Sequence, residues 1–245
     1  RNAPQHVLKH SRRQNQAPPI FEFFVKFFKA PPELNMPSRC VLIVIDFQLD
    51  FYSRNSRVSS AFPNMAKSIS SLVEFARSQP DFEVVHLREG SNEDDSPWYS
   101  FWKKMNPGKS SSADATIEAA EVAAKEINGE KVFVKFGYDG TGVDSGMVSY
   151  LDSLSSDTKP MIFVCGLVTS CCVHCNAAGL FLRGYPTFVV ADACGDRTVA
   201  MHTQHLERES RRCFAVVESC NIFESNTSVD ALIASSWPNF TQTEK

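Results

Sequence analysis

From residue 40 onward, uninterrupted apolar blocks alternate with stretches whose apolar residues recur at helical spacing. The block "CVLIVIDFQ" at 40–48 is β-branched and continuous, as a strand buried on both faces requires. Further blocks at 82–87, 131–136, 160–166, 186–192 and 213–219 predict five more strands. Between them, Ile69, Leu72, Val73 and Ala76 share one face of a helix over 65–77. Helices are also predicted over 115–127, 143–154, 172–182 and 199–211. Strands alternating with helices predict an α/β fold, a three-layer α/β/α sandwich with a six-stranded, mainly parallel sheet.

The pattern assigns residues 39–245 to one domain and leaves 1–38 ahead of it. Residues 1–19 carry Arg1, Lys9, Arg12 and Arg13 and no acid, the composition of a solvated basic arm. In segment 20–28, Phe21, Phe24, Val25 and Phe28 recur at helical spacing, which predicts an amphipathic helix and a candidate interface. A long irregular stretch after residue 87 carries Trp98, Tyr99, Phe101 and Trp102, candidates to line an apolar pocket or lid.

Composition changes this picture little. The chain has 245 residues, 43% of them hydrophobic and 22% charged, enough to bury a substantial core. The net charge of −3 argues against nucleic acid or a membrane surface as partner, which leaves a small-molecule substrate. No apolar run approaches the ~20 residues of a membrane span. Eight cysteines in a chain this long do not form the framework of a small secreted domain, and reduced thiols are expected. That expectation points to the cytoplasm, or to an organelle if a targeting segment precedes Arg1. Asn226 and Asn239 head N-glycosylation triplets of the kind that arise by chance.

Ligands of open α/β sheets bind beyond the carboxyl ends of the strands, so the last residue of each strand matters most. The first strand delivers Asp46, a carboxylate that is costly to bury unless paired. The third delivers Lys135. The fourth leads through "GLVTSCC" into a helix, which places Cys172 near a helix start where backbone N–H groups favour a thiolate. A thiol nucleophile, a carboxylate that accepts and returns its proton, and an ammonium that steadies negative charge make a coherent hydrolytic set. Adjacent Cys171 and Cys172 are expected to point in different directions from one element.

Three segments, "DFQLDF" (46–51), "VKFGYDGTG" (134–142) and "GLVTSCCV" (166–173), resemble the signature segments of the isochorismatase-like cysteine hydrolases, in order, within a match over about 39–219. Nicotinamidases, carbamoylsarcosine amidases and ureide hydrolases belong to that superfamily. The resemblance implies Asp46 as proton acceptor and donor, Lys135 as its charged partner and Cys172 as nucleophile. It also implies a cis peptide bond at Leu167–Val168, an oxyanion hole from the N–H groups of Val168 and Cys172, and a homo-oligomer. The implied reaction is hydrolysis of a C–N bond in a small amide, ureide or carbamoyl substrate through a thioester.

Substrate contacts are expected from Phe51, Arg88, Trp98, Trp102 and Tyr138, with Arg197 as a further candidate to grip a carboxylate. Nicotinamidases of the superfamily carry an Asp and two His as metal ligands. No His-x-His follows His86 here, and neither metal nor cofactor is expected. Vinyl-ether hydrolysis of the isochorismatase type, which in this superfamily does not depend on the cysteine, is one alternative. A thiol–disulfide oxidoreductase using Cys172 and Cys175 is another, although it explains neither Asp46 nor Lys135. A zinc knuckle of Cys171, Cys172, His174 and Cys175 fits poorly, because neighbours on one helix diverge.

Overall fold

A computed structural model describes residues 39–90, 99–107, 119–142, 145–155, 158–210, 212–224 and 229–236. The basic arm, the Phe-rich segment 20–28, Trp98, residues 115–118 of the predicted second helix and both glycosylation triplets lie outside the described residues.

Six strands form one sheet: β1 (Cys40–Ile45), β2 (Phe82–Glu89), β3 (Lys131–Lys135), β4 (Met161–Leu167), β5 (Thr187–Gly195) and β6 (Ala215–Val217). Their spatial order is β3-β2-β1-β4-β5-β6 and every pair is parallel. The predicted strands and their mainly parallel pairing are both present. β1 and β4 are buried along their whole length, as their unbroken apolar runs require.

The described helices are α1 (Ser56–Ala61), α2 (Met65–Ser78), α3 (Tyr99–Met105), α4 (Met147–Ser153), α5 (His174–Leu182), α6 (Val199–Glu209), α7 (Ser219–Glu224) and α8 (Val229–Ser235). α2 buries Met65, Ile69, Leu72, Val73 and Ala76, the face its spacing predicts. Stacked rings of Phe82, Phe163 and Phe188, with centroids 5.7 and 5.5 Å apart, tie β2, β4 and β5 together in the core.

One predicted helix is corrected. Ala119 pairs antiparallel with Gln48, and of residues 119–127 only Val122–Ala124 form a short 3₁₀ turn. The segment is a strap that pairs with the turn after β1 and takes hydrogen bonds from Arg77 of α2, rather than a helix. Among the described residues, no helix is long and apolar enough to cross a membrane.

The strand order reverses direction between β1 and β4, which opens a crevice at their carboxyl ends. Gly166 lies in that crevice with φ +119°, and a Cβ there would meet the Ile45 carbonyl oxygen at 1.9 Å. Only glycine lets the two strand ends approach this closely.

Candidate active site

Four adjacent strands each bring one group to the floor of the crevice. Asp46 follows β1 directly, with φ +49°, in the left-handed region that non-glycine residues seldom occupy. Its N–H donates to the Leu87 carbonyl at 2.9 Å, and its own carbonyl accepts from the Gln48 N–H at 2.8 Å. The chain thus turns sharply as soon as the strand ends. Lys135 closes β3, Glu89 closes β2, and β4 runs on into the turn that carries Cys172.

All four side chains are buried: Asp46 3%, Lys135 2%, Glu89 5% and Cys172 8% exposed. Lys135 Nζ lies 2.8 Å from Asp46 Oδ2, donates to the Gly137 carbonyl at 2.9 Å and to a Glu89 carboxylate oxygen, and sits 3.6 Å from Cys172 Sγ. Burial opposes a charged lysine, yet the charges of Asp46, Cys172 and Glu89 outweigh it and raise the Lys135 pKa, so the ammonium persists. Asp46 Oδ1 is buried without a hydrogen-bond partner among the described residues. A free carboxylate oxygen beside a thiol is what a proton acceptor needs.

Cys172 lies in a π-helical turn, Thr169–Val173, that precedes α5. In that turn the Val173 N–H donates to the Val168 carbonyl at 3.2 Å. The helical path therefore begins at Thr169, earlier than the 172 its sequence predicts, and π turns recur at functional sites. The peptide Leu167–Val168 is cis, as the resemblance implies. Asp196, fully buried at the end of β5, accepts from the Ser170 N–H at 2.8 Å and the Arg197 N–H at 2.7 Å. Thr169 Oγ1 donates to the Gly195 carbonyl at 2.9 Å. The turn is thus anchored to β5 on one side, and Asn176 anchors it on the other. The Asn176 side chain donates to the carbonyls of Cys172 and Tyr138 and accepts from the Gly140 N–H.

The expected thiolate at Cys172 meets an opposing environment. A hydrogen bond with Cys171, burial and the Asp46 charge push its pKa well up, and Lys135 only partly offsets them. The two cysteines also do not diverge as expected: both line the same cavity, because it wraps the wide turn. All eight cysteines are free thiols, and the sulfur hydrogen-bonded to that of Cys172 is Cys171's.

The cavity has a volume of about 130 Å³. Phe51, Tyr138, Leu167, Val168 and Arg197 line it together with Asp46, Glu89 and the two cysteines. Of the residues expected to contact substrate, Phe51 and Tyr138 line it, as does Val168. Trp102 does not line it but shares a side-chain hydrogen bond with Tyr138. Arg88 is elsewhere: it pairs with Glu126 at 2.6 Å and does not line the cavity. Successive strand residues face opposite sides, so Glu89 faces the floor where Arg88 cannot.

Sequence comparison identifies the fold's lineage. An isochorismatase domain model matches residues 40–221. The chain belongs to the isochorismatase family. No curated protein sequence matches it. Solved structures of the family share its fold. An isochorismatase family protein from Desulfovibrio vulgaris superposes with TM-score 0.62 at 20% identity, covering 76% of this chain and 97% of its own. N-carbamoylsarcosine amidase from Thermoplasma acidophilum gives 0.59 at 20%, covering 74% and 96%. A cysteine hydrolase from Pseudomonas syringae pv. phaseolicola gives 0.59 at 16%, covering 84% and 99%.

Ligand atoms of Asp46, Glu89 and Cys172 lie within 4.8 Å of one another, a spacing that suits a metal ion. The Lys135 ammonium occupies their midst, however, at contact distance from both acids. A dication would have to displace a resident cation, so the donor set does not fit a metal.

Proposed function

We propose that this isochorismatase-family hydrolase cleaves the C–N bond of a small amide, ureide or carbamoyl compound, with Cys172 as nucleophile. The observation that carries the reading is that Cys172 and Asp46, with its unpartnered Oδ1, line one cavity while Lys135 contacts them both. Cys172 Sγ adds to the substrate carbonyl, and its proton passes to Asp46. The carbonyl π electrons move to oxygen, which the N–H groups of Val168 and Cys172 receive. Asp46 then gives the proton to the leaving nitrogen as the C–N bond breaks and a thioester remains. Water, deprotonated by Asp46, attacks the thioester, and the thiol is restored. Lys135 fixes Asp46 through both half-reactions.

A cavity of about 130 Å³ suits small substrates. Arg197 is exposed at its mouth, and its guanidinium has no hydrogen-bond or ion-pair partner among the described residues. That favours substrates bearing a carboxylate, which a guanidinium can hold with two parallel hydrogen bonds.

The test is ammonia release from primary amides, ureides and carbamoyl acids, with intact-protein mass recorded in parallel. Wild type is expected to show turnover and a covalent acyl adduct. Cys172→Ala should lose at least about 10⁴-fold of the activity and form no adduct. Undiminished turnover by Cys172→Ala would sink the thioester route.

A further inference from the structure

The proposed chemistry uses three of the four ionisable groups on the crevice floor, and Glu89 is the fourth. Its place is built. The Gln48 side chain is itself fully buried and brackets the Glu89 backbone, accepting from its N–H at 2.8 Å and donating to its carbonyl at 3.1 Å. Across the sheet, Glu89 and Lys135 are direct partners in the β2–β3 register, and the Lys135 ammonium donates to the Glu89 carboxylate. The same ammonium serves Asp46, and oxygens of both acids lie within 4.8 Å of Cys172 Sγ.

Two carboxylates and one ammonium leave the floor with one net negative charge. A thiolate at Cys172 would add a second, in a place almost closed to water. Without Glu89, the ammonium would face Asp46 and the sulfur as its only charged or ionisable partners, beside the Gly137 carbonyl, and ionisation would be easier. The remaining groups facing Cys172 do not reverse this balance. Burial keeps Tyr138 a phenol and Cys175 a thiol, and Arg197 is exposed to solvent at the rim. The hydrogen bond with Cys172 lowers the Cys171 pKa, and any negative charge on Cys171 opposes a thiolate at Cys172 further.

We propose that Glu89 is a positioning residue that engages Lys135 alongside Asp46 and so keeps Cys172 a thiol until substrate fills the cavity. The inference rests on the reading of Cys172 as nucleophile. The S–H proton then passes to Asp46 Oδ1 as the S–C bond forms, rather than before it. Between turnovers the sulfur is sheltered from alkylating agents, which react with thiolates. The upward push on the Cys172 pKa, from the Cys171 hydrogen bond, burial and Asp46, acts in the same direction.

The experiment follows iodoacetamide alkylation of Cys172 against pH by peptide mass, which separates it from the other cysteines. Wild type should be half-alkylated only above the ~8.5 of an ordinary cysteine. Glu89→Gln keeps shape and removes one charge, and it should lower that midpoint by about one pH unit, a tenfold gain in rate near neutrality. Glu89→Asp keeps the charge and should stay near the wild-type midpoint, which a merely structural role for the side chain does not predict. A wild-type midpoint below neutrality overturns the inference, as does an unshifted or raised midpoint in Glu89→Gln. The wild-type midpoint decides the resting state even if the glutamine variant does not fold. Because alkylation needs no substrate, failure of the amide panel would leave these midpoints untouched. A resting thiolate would likewise leave the hydrolase reading intact.

Discussion

At the scale of single residues, parity and contact decide more than residue type. Arg88 and Glu89 are neighbours, but strand alternation turns one toward Glu126 and the other toward the crevice. The sequence offers both charges with equal force, and only the point where β2 stops relative to β3 chooses between them. Gly166 shows the same dependence on contact. Replacing it with alanine would drive a Cβ into the Ile45 carbonyl at 1.9 Å from a backbone with φ +119°. Gly166→Ala should therefore lose at least about 3 kcal/mol, measured by urea unfolding, or fail to accumulate as folded protein.

At the scale of elements, the nucleophile turn is held from two sides, by β5 and by the segment after β3. Asn176 forms the second tie, with hydrogen bonds of 2.7 Å to the Cys172 carbonyl, 2.9 Å to the Tyr138 carbonyl and 2.7 Å from the Gly140 N–H. It is fully buried, so removing it strands three backbone groups away from water. Asn176→Ala should cost about 3 kcal/mol in urea unfolding and lower kcat by about 10-fold or more, because the Cys172 turn loses its tie to the segment of Tyr138 and Gly140. A lone Asn within the apolar run "CNAAGLFL" is a signal of this kind in the sequence. It marks a buried polar contact without naming the partners, since two of the three lie 36 and 38 residues away.

At the scale of the whole molecule, buried titratable groups outside the crevice set the pH range of stability. Burial lowers the pKa of His86, His202 and His205, so these rings fold as neutral imidazoles. Their contribution is present above the unfolded value of ~6.5 and is lost as pH falls through their folded values. Glu218 acts in the opposite sense. Burial first, and then Asp192 beside it, raise its pKa to about 7. Its contribution is present below the unfolded carboxylate range and is lost as pH rises through about 7. Glu218→Gln should accordingly melt about 2–4 °C above wild type at pH 8 and at the same temperature at about pH 3.5, below the unfolded carboxylate range. That is the size of roughly 1 kcal/mol in a domain this large, discounted for a half-exposed group. Calorimetry at the two pH values checks it.

By itself the sequence determined the order and type of most elements, because apolar periodicity is a local property and the central strands β1 and β4 are buried along their whole length. It also placed Asp46, Lys135 and Cys172, since ends of parallel strands are legible from where apolar runs stop. The irregular strap at 119–127 escaped it, for helical spacing of apolar residues does not reveal that Ala119 pairs with Gln48. Tertiary structure alone decided that Glu89 joins the site and Arg88 does not, that Gln48, Asn176 and Asp196 brace it, and that burial opposes a thiolate at Cys172. Each of these depends on register between strands distant in sequence and on the water that their packing removes.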